Sequence, residues 1–140
     1  MKRASLILLF GLAGTAAAED DREHTVELAM WQRGCMTAVA SILSTAEPDI
    51  KKTAAAATTY CVPLLAEFGS AYSEEFDDPH EEKVVSMWMD GCVRGAKSFN
   101  MSRGMGELAA YSDASNRCVA GLESNAPDKA FEMISENAAK

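Results

Sequence analysis

The chain repeats itself. Met30-Trp31-Gln32-Arg33-Gly34-Cys35 and Met87-Trp88-Met89-Asp90-Gly91-Cys92 carry Met, Trp, Gly and Cys at one spacing, 57 residues apart. The offset continues without a gap, setting Asp20-Asp21 on Asp77-Asp78, Ser41 on Ser98, Ala57 on Ala114, Cys61 on Cys118, Val62 on Val119 and Leu65 on Leu122. Both Trp and all 4 Cys fall into register, so about residues 20–67 and 77–124 form a duplicated unit. Such a unit cannot bury its apolar face alone and packs against its copy.

Each unit reads as two helices. Leu28, Trp31, Cys35, Val39, Ile42 and Leu43 keep the three-and-four spacing of one helical face, and Ile50, Ala54, Ala57, Cys61, Leu64, Leu65 and Phe68 keep it again after a break at Pro48. In the second copy Asp78, Pro79 and Glu81 form a capped helix start. Val85, Trp88, Cys92, Ala96 and Phe99 make the buried stripe there. Arg103-Gly104-Met105-Gly106 supplies a turn, and Leu108, Ser112, Cys118, Val119 and Leu122 continue on the next helix. A short fifth helix is expected over 127–139, with Ala130, Phe131, Ile134 and Ala138 on it. The expected fold is all-α: two tandem disulfide-linked αα-hairpins, in the simplest arrangement a pseudo-two-fold four-helix array, plus that C-terminal helix.

The cysteines test the hairpin reading. In an antiparallel helix pair, residues equally far from the turn lie level. Cys35 and Cys61 are equidistant from Pro48, and Cys92 and Cys118 from Met105. Of the three pairings that four Cys allow, this favours Cys35–Cys61 with Cys92–Cys118. Each bridge closes a loop worth about 3.5 kcal/mol in the chain-entropy account. The repeated Met30, Trp31, Gly34 and Met87, Trp88, Gly91 fit the same geometry. Trp, Gly and Cys at i, i+3 and i+4 place the indole one turn before the sulfur, and Gly leaves a patch where a neighbouring helix comes close. That makes the motif a structural signature rather than a ligand grip.

The first 18 residues read as a cleaved export signal. Met1-Lys2-Arg3 is cationic, Leu6 to Ala13 is apolar, and Ala16-Ala17-Ala18 offers the small-residue cleavage pattern before Glu19. The apolar run is about half of the roughly 20 residues needed to span a bilayer, and no later stretch is long enough. A single domain over 19–140 in the periplasm or secreted, where disulfides persist, is therefore expected. Losing Lys2 and Arg3 takes the formal charge from −8 to −10. That acidity argues against nucleic acid or an anionic membrane as partner and suits a protein with a basic surface. With 48% hydrophobic and 24% charged residues, disorder is excluded as well.

Residues that could carry chemistry are few. His24 and His80 stand in no Ser-His-Asp or Cys-His constellation, and no Cys-x-x-Cys occurs. Met87, Met89, Met101, Met105 and His80 are soft ligands of the kind that hold copper(I), but Met87 and Met89 point to different sides of a helix. No cofactor, metal or catalytic residue is assigned. Glu74, Glu75, Phe76, Asp77 and Asp78, between the units, read as a solvated linker or a docking patch with Phe76 as apolar anchor. The expected function is non-enzymatic binding of a protein partner, in the manner of an inhibitor, immunity protein or chaperone. The alternative is a periplasmic carrier of a small apolar or cationic ligand, or of copper, between the hairpins. A hydrolase using paired carboxylates comes third.

Overall fold

The computed structural model describes residues 11–71 and 81–139, with side chains at 26–69 and 83–137. Among these residues lie five helices and no strand: α1 (Gly11–Leu43), α2 (Ile50–Ala71), α3 (Glu81–Ser102), α4 (Glu107–Glu123) and α5 (Ala126–Ala139). Leader residues 1–10, the acidic segment Glu74 to Asp78, the expected cap at Asp78-Pro79, and His80 lie outside the described residues, as do the side chains of His24 and Ala138. α1 begins within the expected leader and runs through Ala18 and Glu19.

Local chemistry sets the breaks. Asp49 Oδ1 accepts the Lys51 backbone N–H at 2.9 Å and caps α2. At the end of α3, Gly104 takes φ 96°, and the Gly104 and Met105 N–H groups donate to the Met101 and Asn100 carbonyls at 3.0 Å each. This paired reversal needs a left-handed residue, which glycine supplies without strain. Asn125, at φ 61°, does the same between α4 and α5.

Disulfides Cys35–Cys61 and Cys92–Cys118 join α1 to α2 and α3 to α4, with Cα separations of 6.0 and 5.9 Å. The buried faces of the two outer helices match position for position: Thr53, Ala57 and Cys61 on α2, Ala110, Ala114 and Cys118 on α4. Small side chains at every fourth position let each outer helix lie close to its inner partner. This corrects the sequence reading, which put Ile50, Ala54, Leu108, Ser112 and Val119 on those faces. All five are exposed, Ile50 at 81% and Leu108 at 86%, and Phe131 of α5 is exposed too.

The two hairpins meet through their first helices. Glu27 pairs with Lys83 at 2.8 Å, with both side chains largely buried. Trp31 donates its indole N–H to Asp90 at 2.8 Å, and Gly95 abuts Cys35. These contacts climb both helices together, so α1 and α3 cross while running the same way. At the crossing the contacts are reciprocal. A Cβ on Gly34 would overlap the Trp88 carbonyl oxygen, and one on Gly91 would overlap the Trp31 carbonyl oxygen. Met30, Trp31, Cys35, Met87, Trp88 and Cys92 close around this point as the core. Beneath the symmetry the surroundings differ: Trp31 stacks on Phe68 at 4.8 Å, whereas Trp88 lies over Gly121, and its indole nitrogen has no hydrogen-bond partner among the described residues. α5, which has no counterpart in the repeat, packs on α1, α3 and α4.

Candidate functional site

The repeat signature Met30, Trp31, Gly34, Met87, Trp88 and Gly91 is buried in the α1–α3 crossing. Backbone meets backbone there at Gly34 and Gly91, which leaves no ligand-sized space between the hairpins at that point. The Met residues weighed for copper are scattered in environment: Met87 is in the core, Met89 is half-buried, and Met101 and Met105 are exposed at the α3–α4 turn. Among the described residues no three His, Cys, Asp or Glu side chains form a group able to hold a metal ion. No helix among them is long and apolar enough to cross a membrane.

The halves also differ where the second helix of each hairpin leans on the inner helix of the other. Ser41 and Ser98 are repeat counterparts, and so are Tyr60 and Arg117. The Tyr60 and Ser98 hydroxyls share a hydrogen bond of 2.6 Å, and Arg117 Nη1 donates to Ser41 Oγ at 3.1 Å. One pseudo-symmetric contact is thus made with a phenol in one half and a guanidinium in the other. Around Tyr60 the setting is aromatic, with the Phe99 ring edge-on at 5.1 Å.

Around Arg117 the setting is polar. Arg117 Nε donates to Asp113 Oδ2 at 2.7 Å, and Asn100 Nδ2, from a nearly buried side chain, donates to the same oxygen at 2.8 Å. The hydrogen bond from Arg117 holds the Asp113 carboxyl below the usual carboxylate pKa, opposed by partial burial and assisted by Asn100. A carboxylate kept ionised in this way is a structural anion and poorly suited to general acid work near neutral pH.

These groups border an open cleft of about 230 Å³ lined by Ile42, Asn100, Arg103, Met105, Asp113 and Arg117. The Arg103 guanidinium lies 5.4 Å above the Phe99 ring. One repeat earlier, Asn100, Arg103, Met105, Asp113 and Arg117 correspond to Leu43, Ala46, Pro48, Ala56 and Tyr60, none of them charged. The charged residues of the cleft come from the second hairpin, and Ile42 of α1 completes its lining. Beside it, Met101, Met105, Leu108 and Tyr111 are exposed at the same turn. Lys97 is paired with Glu107 at 3.1 Å and sits 6.0 Å from the Tyr111 ring.

Of this cluster the sequence singles out Ile42 and Leu108 as helical-face residues, Met101 and Met105 as possible ligands, and Arg103 and Met105 as part of a turn. Asn100, Asp113 and Arg117 are not among the residues it singles out, although the change from Tyr60 to Arg117 directly before the matched Cys-Val pair is a usable signal. The acidic segment Glu74 to Asp78, read as a solvated linker or a docking patch, is outside the described residues. No family model, curated protein sequence or solved structure matches the chain.

Proposed function

We propose that this protein is an exported, disulfide-braced helical module that acts by binding a protein partner, without catalysis, through the turn of its second hairpin. The observation that carries the reading is the divergence of that turn. Met101, Met105, Leu108 and Tyr111 stand exposed where the first copy has Ser44, Pro48, Lys51 and Ala54. Exposed apolar side chains gathered at one place, with a polar rim at Lys97, Glu107 and Arg103, have the make-up of a docking patch. The partner presents an apolar pocket within a basic surface, since a formal charge of −8 draws cations towards the whole molecule. The two disulfides agree with an oxidising compartment, and the Lys2-Arg3 leader with export to the periplasm or beyond.

The test is affinity capture from the exported fraction with the disulfides intact, using the natural chain and a Leu108→Asp/Tyr111→Asp variant as parallel baits. A protein retained by the first and lost from the second supports the reading. Equal recovery on both, or no protein recovered at moderate salt, defeats it.

A further inference from the structure

The cleft at the α3–α4 turn holds a cation that no carboxylate among the described residues pairs with. Arg117 gives Nε to Asp113 and Nη1 to Ser41, and Asn100 gives Nδ2 to the same Asp113 oxygen. Asp113 and Arg117 cancel as charges, so the cleft keeps one net positive charge, on Arg103. That residue makes no ion pair among the described residues, whereas Lys83, Arg94 and Lys97 of the same hairpin are each paired with a carboxylate. In a chain with 21 acidic residues against 13 basic ones, a carboxylate partner would be easy to supply from within. The first copy has Ala46 at the equivalent position, so the charge is not shared by the two repeats.

The walls around this charge are mixed. Ile42 is buried beneath the cleft and Met105 flanks it, giving apolar surface beside the guanidinium. At about 230 Å³ the space is smaller than the roughly 300–1,000 Å³ that drug-sized ligands occupy, which restricts the guest to a short chain. A planar guanidinium fork recognises a carboxylate through two parallel hydrogen bonds. Asp113, already ionised and doubly hydrogen-bonded, adds a negative edge that turns away dianions.

We propose that this cleft binds an aliphatic monocarboxylate, its carboxylate on Arg103 and its hydrocarbon against Ile42 and Met105. Both a free organic acid and the C-terminal end of a peptide have this chemistry. The inference does not depend on a protein docking at Leu108 and Tyr111: failure of the capture experiment leaves it standing, and its own failure leaves that reading standing.

The experiment is a titration of the disulfide-intact chain followed by NMR at the Met105 methyl and the Asn100 side-chain amide. The probes are isovalerate, N-acetyl-leucine and N-acetyl-leucinamide. Both signals are expected to shift saturably with an acid and not with the amide, and Arg103→Gln should weaken binding about tenfold or more. Binding of N-acetyl-leucine alone assigns the cleft to peptide ends; comparable binding of isovalerate assigns it to free acids. The proposal is overturned if the amide binds as well as the acids, if Arg103→Gln binds like the natural chain, or if no probe shifts either signal.

Discussion

Trp31 hands its indole N–H to Asp90 at 2.8 Å across the helix crossing, and Trp88 has no equivalent acceptor among the described residues. Arg33 occupies the repeat position that Asp90 fills in the second copy, and a guanidinium only donates. An indole N–H buried without a partner is a standing cost to the fold. Asp90→Ala should therefore lower stability by about 1–3 kcal/mol by orphaning the second indole, while Arg33→Asp should raise it by about 1 kcal/mol. Urea unfolding of both variants, followed by tryptophan fluorescence, checks the opposite signs.

The reciprocal glycines allow a sharper contrast. Ala at position 34 would drive its Cβ onto the Trp88 carbonyl and within 2.9 Å of the Cys92 nitrogen, all of it backbone that cannot step aside. Gly34→Ala and Gly91→Ala should each cost about 3 kcal/mol, at the upper end of overpacking penalties. Gly106→Ala meets nothing within 4 Å and sits at φ −66°, so its stability should stay within about 0.5 kcal/mol of the natural chain. Thermal melts of the three variants test the ordering.

Since both bridges enclose the same sequence separation of 26, the loop-closure account gives them equal weight. Replacing either Cys pair with Ser should lower stability by about 3.5 kcal/mol, and the two values should agree closely. A large inequality in denaturant midpoints would show that the packing around each sulfur, and not the loop, controls its contribution.

Acid should act on one network in particular. Asp113 titrates below its ordinary value in the folded chain because Arg117 favours its charged form. Its contribution is complete above the unfolded carboxylate value of about 3.9 and is lost as pH falls through the lowered folded value. The stability difference between the natural chain and Asp113→Asn should be greatest at neutral pH and close as the solution is acidified below about pH 4. Paired denaturation curves at pH 7 and pH 3 measure it.

The offset of 57 and the Cys spacing made the hairpins, their turns and the bridge pairing legible, because a disulfide between level positions follows from helix geometry alone. The width of the buried faces was not legible. Ile50 and Leu108 fit a three-and-four pattern, but the buried positions of each outer helix form a narrow strip of Thr53, Ala57 and Cys61 or Ala110, Ala114 and Cys118. Periodicity finds a face without saying how far it extends, and the fully buried positions there are taken by small residues. The charged cleft was hidden for another reason: Arg117 meets Ser41 from 76 residues away, a proximity that exists only after the halves have crossed.

The crossing itself is self-complementary, each half offering the same glycine and receiving it on the same tryptophan carbonyl. A lone hairpin with that surface holds what it needs to pair with an identical copy, as two-fold homodimers do. In such a dimer every substitution appears twice. Arg33 could not face a half carrying Asp90, nor Tyr60 a half carrying Arg117. In a chain of two hairpins that restriction is absent, and the halves differ both at the crossing, where Arg33 is the repeat counterpart of Asp90, and beside the cleft, where Tyr60 is the counterpart of Arg117.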